Sequence, residues 1–183
     1  VFNHLSLDGY FTGSHGDFSW AHQPVPGQEW SAFVHANASS GGALLFGRIT
    51  YQIMADYWPS PVAARRDAVL AEHINQLPKF VFSRTLQRAA WNNTTLLKGD
   101  LLTEVRRLKQ ESAQDLTILG SGTIVTQLAE QNLIDEYQLV VVPIVLGQGR
   151  TLFEGIRERL PLKLTGTRGF ANGNALLRYE PIR

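Results

Sequence analysis

The chain has 183 residues, 44% of them hydrophobic and 18% charged, with a net charge of +1 and no cysteine. That length suits one domain with a proper core, and the near-neutral charge offers no clustered basic face for nucleic acid. The lack of cysteine excludes disulfides, thiol nucleophiles and thiolate metal sites and fits a reducing cytoplasm; no apolar stretch approaches the ~20 residues that span a bilayer, and no signal peptide is visible.

In chain order, residues 1–5 read as a strand and Ser6-Leu-Asp-Gly-Tyr10 as a turn. A loop rich in Gly, His and Pro follows to residue 27; its Phe18, Trp20 and His22 either cover a flat ring or pack the loop down. Residues 29–38 carry Trp30, Phe33 and Val34 on one helical face. A strand over 43–46 runs into a helix from 47 to about 55, marked by Ile49, Ile53 and Met54. A further helix is predicted over 62–75. Strands at 79–83 and 95–97 precede a helix that Asp100 caps, with Leu101, Val105 and Leu108 facing inward. Its basic cluster, Arg106, Arg107 and Lys109, reads as a solvated face that complements the helix dipole. A strand and helix at 116–128 come next. Residues 136–142 are then rich in β-branched side chains and end at Pro143, while 162–170 and 175–180 flank the hairpin signal Asn172-Gly173. The apolar run from Leu139 to Leu146 suits either a strand of the molecule's own core or a contact with a second copy. The pattern predicts one α/β domain closed by antiparallel C-terminal strands.

Chemistry concentrates at strand ends. In Leu116-Thr-Ile-Leu-Gly-Ser-Gly-Thr-Ile-Val125 an apolar strand meets a Gly-x-Gly turn, then a helix with Ile124, Val125 and Leu128 on one face. Gly120 and Gly122 permit a sharp turn and close approach of a ligand, and the helix start favours an anion. Val125 stands where the dinucleotide fingerprint has its third glycine, so this is not a Rossmann match. A second such turn, Ala43-Leu-Leu-Phe-Gly-Arg-Ile-Thr-Tyr51, puts Gly47, Arg48 and Thr50 at another strand-to-helix junction. A third strand ends at Ser83 and Arg84. Each arginine alone reads as solvated, but the repeated glycine, hydroxyl and guanidinium at strand ends point to a bound di- or polyphosphate.

Five motifs occur in order: Ser6-Leu-Asp-Gly-Tyr10, Leu45-Phe-Gly-Arg-Ile-Thr-Tyr51, Phe82-Ser-Arg84, Ile118-Leu-Gly-Ser-Gly-Thr123 and Val145-Leu-Gly-Gln-Gly-Arg-Thr-Leu-Phe153. Together they resemble the dihydrofolate-reductase-like superfamily. Within it the chain is most similar to the bacterial family related to the C-terminal reductase domain of the riboflavin-biosynthesis deaminase/reductase. The resemblance implies an α/β fold with a mixed, mostly parallel sheet flanked by helices and an antiparallel C-terminal hairpin. It implies NADPH as cofactor, with Gly47, Arg48 and Thr50 on the adenosine-side phosphates. Ser83 and Arg84 would meet the 2′-phosphate and adenine edge, and Gly120, Ser121, Gly122 and Thr123 the pyrophosphate. His4 and Phe11 fall where the family lines the nicotinamide, and a homodimer through the C-terminal strands is implied. Folate reductases carry an acid on the first helix; that position falls at Ser31, with Glu29 two residues earlier.

The expected activity is therefore hydride transfer from NADPH to a small heteroaromatic, pteridine- or pyrimidine-like substrate, with no metal. Such chemistry needs ring positioning and water exclusion more than acids and bases. Where a proton is required, Asp8, Glu29 or a water would supply it. The residues themselves favour Asp8 as an Asx-turn residue before Gly9, and Glu29 as a helix first-turn residue. The five histidines lack paired metal-ligand spacing, and Ser121 lacks a nucleophile elbow. Two other readings stay open: a nucleotide-binding module without turnover, and a flavin or other phosphorylated ligand in the same cleft.

Overall fold

The computed structural model describes residues 1–22, 27–40, 42–111 and 114–183. The chain begins with β1 (Phe2–Ser6) and β2 (Tyr10–Thr12), two short 3₁₀ turns, and helix α1 (Gln28–Ser39). Then come β3 (Ala43–Gly47), α2 (Arg48–Tyr57), α3 (Pro61–Arg66), α4 (Ala68–Gln76), β4 (Lys79–Phe82), β5 (Thr94–Leu97), α5 (Leu101–Glu111) and β6 (Leu116–Ile118). Helix α6 (Gly122–Ala129) leads to β7 (Tyr137–Val142), β8 (Arg150–Thr151), β9 (Leu162–Gly169) and β10 (Ala175–Pro181). These elements form two compact units, one of Val1–Ala32 with Gly122–Arg183 and one of Phe33–Ser121.

The Phe33–Ser121 unit is built on a parallel sheet in the order β5-β4-β3-β6. Strand β3 is central, and Ala43, Leu44, Leu45 and Phe46 are all buried, the continuous apolar run of a strand covered on both faces. Leu44, Phe46, Tyr51, Ile74, Val81 and Trp91 make its core cluster. Residues 62–75, predicted as one helix, form two. Asp67 leaves helical backbone (φ −160°, ψ 91°) and its side chain accepts the N–H of Leu70, capping α4. Its other carboxylate oxygen lies 2.6 Å from His35 Nε2. An aspartate that can cap a helix start competes with continuing the helix. Parallel neighbours β4 and β5 are joined by residues 83–93 without a helix, and Trp91 from this crossover is buried against Phe46 and Tyr51.

In the other unit the sheet order is β1-β7-β10-β9, with β1 and β7 parallel and the rest antiparallel. Strand β7 is paired on both sides and buries Tyr137, Leu139 and Val140, so the first part of the 139–146 run is this unit's own core. Its later residue Val145 is exposed. The C-terminal hairpin turns over Ala171, Asn172 and Gly173; Gly173 takes φ +89°, and Asn172 Oδ1 accepts the N–H of Asn174. The ribbon of β2 and β8 is too short for a periodic signal and was not expected from sequence. Parallel sheet, flanking helices and antiparallel hairpin otherwise match the predicted fold class.

Candidate functional site

In the Phe33–Ser121 unit the chain moves from β3 to β4 and β5 on one side, then returns to β6 on the other. The carboxyl ends of β3 and β6 therefore flank a topological switch point, where open α/β sheets bind ligands. Both glycine turns sit there. Gly120 (φ +62°) and Ser121 (φ +59°) are consecutive left-handed residues, the second not a glycine. The Gly47 N–H donates to Ser121 Oγ at 2.7 Å, Ser121 Oγ donates to Thr50 Oγ1 at 3.0 Å, and the Ser121 N–H donates to the same Thr50 oxygen at 3.2 Å. A Cβ on Gly120 would stand 3.1 Å from Thr50 Cγ2, so glycine is required there for close packing as well as for its backbone. Of the two hydroxyls expected to face a phosphate, Ser121 Oγ accepts the Gly47 amide and donates to Thr50, and Thr50 Oγ1 acts as acceptor in both of its bonds to Ser121. What this corner presents to an anion is the first turn of α2.

Register carries the site along the sheet edge. Gly47 pairs with Phe82 and Phe82 with Leu97, so the residues that follow these positions line one edge. Arg48 is exposed and donates to Gln52 Oε1 at 3.0 Å. Ser83 Oγ accepts the N–H groups of Thr85 (3.2 Å) and Leu86 (2.9 Å), a turn that leaves Arg84 exposed. The Ser83 N–H donates to Leu97 O at 3.1 Å, which brings the end of β5, and with it the exposed Lys98, onto the same edge. Sequence reasoning missed Lys98, because β5 ends without the glycine or hydroxyl that marked the other strands. The signal available was a lysine directly after a parallel strand.

Gly122 and Thr123 open α6 in the other unit. A Cβ at Gly122 would stand 3.1 Å from the Phe11 ring, so the close approach that this glycine permits is to a side chain of its own unit. Thr123 is exposed, and its carbonyl accepts from Gln127 Nε2. His4 lies edge-on between Phe2 and Trp30. Asp8 Oδ1 accepts the Leu146 N–H at 3.1 Å and Oδ2 the Gly147 N–H at 2.7 Å. The Ser6 hydroxyl, then these two N–H groups, hold its carboxyl below the usual range. Glu29 pairs with Arg168 at 2.8 Å, and the Arg168 guanidinium lies over the Phe170 ring. Ser31 is exposed. Trp20 is buried, its Nε1 donating to Asp17 O, so this loop aromatic packs the loop down. The His22 side chain and residues 23–26 lie outside the described residues. Among the described residues no three His, Asp or Glu side chains are grouped as they would be to hold a metal, and no helix is long and apolar enough to cross a membrane.

The model of the RibD C-terminal domain family matches residues 1–176. The uncharacterized protein YyaP of Bacillus subtilis (strain 168) is 28% identical over 176 residues, 96% of this chain and 90% of that one. Among solved structures, a proposed riboflavin biosynthesis protein of Shewanella sp. PV-4 superposes with a TM-score of 0.77 at 24% identity, covering 100% of this chain and 98% of that one. The diaminohydroxyphosphoribosylaminopyrimidine deaminase/5-amino-6-(5-phosphoribosylamino)uracil reductase of Thermotoga maritima does so with a TM-score of 0.68 at 15% identity, over 99% of this chain and 55% of that one. At these identities the two structures establish the fold. The matched family model and the shared fold together show that the chain belongs to the RibD C-terminal domain family, within the dihydrofolate-reductase-like fold that its motifs resemble.

Proposed function

We propose that the protein is an NADPH-dependent reductase that transfers a hydride to a small heteroaromatic ring of the pyrimidine or pteridine kind. The observation that carries this reading is the sheet edge itself: a strained, hydrogen-bonded glycine corner at the switch point, continued by Arg48, Arg84 and Lys98. A dinucleotide carrying an extra phosphate matches that edge, since guanidinium groups recognise a phosphomonoester by paired, charge-assisted hydrogen bonds. Arg48, Ser83, Arg84 and Lys98 would hold the 2′-phosphate end. Gly47, the first turn of α2, Gly120 and Ser121 would hold the phosphates by backbone. When bound, the nicotinamide supplies the hydride; the protein's part is to hold ring against ring and keep water out. Family membership supports an oxidoreductase, and the uracil reductase named for the Thermotoga protein supports a pyrimidine-like substrate.

Calorimetric titration with NADPH and NADH tests the cofactor. Each of Arg48→Ala and Arg84→Ala should weaken NADPH by roughly tenfold or more, since a hydrogen bond to a charged group contributes about 1.5–3 kcal/mol. NADH affinity should change less than about twofold, as it lacks the phosphate that the arginines read. Equal losses for both nucleotides would sink the assignment, and tighter binding of a flavin nucleotide would redirect it.

One observation favours a second reading, nucleotide binding without turnover: both candidate acids, Asp8 and Glu29, are already engaged by protein partners. NADPH oxidation in the presence of reducible pyrimidines or pterins separates the two. We also propose a homodimer through the C-terminal strands, because β9 is an outer strand of its sheet with eight residues available for pairing. Light scattering at twice the 20.4 kDa chain mass is the expected result.

A further inference from the structure

The glycine-rich segment Val145-Leu-Gly-Gln-Gly-Arg150 has no part in the reading above, yet it is held more closely than a surface loop requires. It follows β7, while the Ser6–Tyr10 turn follows β1, and the two strands are parallel neighbours with Ser6 opposite Val142. The two continuations are then tied along their length. The Leu7 N–H donates to Ile144 O at 2.8 Å, the Asp8 carboxylate takes the Leu146 and Gly147 N–H groups, and β2 pairs with β8. Gly147 takes φ +73° and Gly149 φ +153°, and a Cβ on Gly149 would fall 2.1 Å from Thr12 O. Two successive backbone N–H groups turned toward one carboxylate form an anion-holding nest, and its anion is Asp8. A carboxylate whose two oxygens both accept hydrogen bonds is stabilised in its charged form. It has no proton to give at neutral pH.

We propose that Asp8 is a positioning residue that locks the 144–150 loop in shape, and that it is not the proton donor of the reaction. The kinetic half of this proposal rests on the reductase reading; the structural half does not. Hydrogen exchange followed residue by residue on Asp8→Asn and Asp8→Glu tests the lock. Exchange at Leu146 and Gly147 should accelerate at least tenfold in Asp8→Asn, which puts an NH₂ donor in place of one of the two acceptor oxygens and removes the charge, with β3 and α2 unchanged. Asp8→Glu, which keeps a carboxylate, should restore at least part of the protection. Turnover of Asp8→Asn should fall while the pH dependence of kcat/KM between pH 5 and 9 keeps the wild-type shape. Unchanged exchange at Leu146 and Gly147 would overturn the lock, and loss of a pH limb in Asp8→Asn would make Asp8 the proton donor after all. If the wild type oxidises no NADPH with any substrate, the reductase reading fails while the exchange data still decide the lock.

Discussion

Ser121 holds φ +59°, a conformation that glycine adopts freely and other residues enter at a cost of roughly 1–2 kcal/mol. Its hydroxyl explains the choice: Oγ accepts the Gly47 amide, 74 residues away in sequence, and donates to Thr50, 71 residues away. Three groups satisfy one another in that clasp, so the deletions should not add. Ser121→Ala leaves the Gly47 N–H without its partner and should lose about 1–3 kcal/mol of stability, the cost of an unsatisfied donor. Thr50→Val should lose less, and the double variant should lose more than Ser121→Ala alone, because the Ser121 N–H still reaches Thr50 Oγ1 in that variant, but less than the sum of the two single losses, which share the hydroxyl–hydroxyl bond. Urea denaturation of the three variants measures this; strictly additive losses would mean that the two hydroxyls act independently. Ser121→Gly relieves the backbone strain and should sit about 1 kcal/mol above Ser121→Ala. Arg48 and Arg84 need no such reasoning, because their exposed, strand-end placement leaves them open to ligand and of little consequence to folding.

At the scale of elements, strong apolar patterns carried through from sequence to structure. β3, α1, α2, α5, α6, β7 and the Asn172-Gly173 hairpin all form near their predicted positions; α5 and α6 bury an apolar face at helical spacing, β3 is a continuous buried run, and α1 and α2 bury only Phe33 and Tyr51, with Ile49 of the expected α2 set exposed. What escaped was set by single side chains or by partners distant in sequence. The α3/α4 break depends on Asp67 capping one helix while facing His35, and the β2–β8 ribbon on two short segments meeting across 138 residues or more. Lys98 joins the candidate site only through the β4–β5 register, and the Thr50–Ser121 tie only through the fold of the sheet. The cap can be tested directly. Asp67→Ala should destabilise by about 1 kcal/mol, the usual loss of an N-cap. Burial pushes the Asp67 carboxyl upward, but the Leu70 N–H and His35 together bring it below its ordinary value of 3.8. Its contribution is therefore present above pH 3.8 and disappears as pH falls through the lowered folded value. Thermal melts of wild type and Asp67→Ala should converge under acid for that reason.

For the whole molecule, alkaline stability turns on two buried groups that act in opposite directions. Lys79 is 1% exposed; its Nζ donates to the carbonyls of Asn75, Leu77 and Asn92 and lies 4.5 Å from the centre of the Trp91 ring. Those contacts make a buried ammonium tolerable, yet burial still pulls it down to about 8 from 10.5. Between those values the unfolded chain holds a proton that the folded chain has released, so this group's contribution to stability rises with pH from about 8 to 10.5. Tyr137 is fully buried, its hydroxyl has no hydrogen-bond partner among the described residues, and burial pushes it up to about 12 from 10.0. Above pH 10 the unfolded chain loses a proton that the folded chain keeps, so this contribution falls as pH rises from 10 to 12. Lys79→Met removes the first effect and Tyr137→Phe the second. Comparison of denaturation curves at pH 7.0, 8.5 and 9.5 should show wild type gaining on Lys79→Met at each step, with Tyr137→Phe tracking wild type throughout. A constant gap between wild type and Lys79→Met would mean that the three carbonyls and the Trp91 face keep Lys79 charged across the whole range, outweighing its burial.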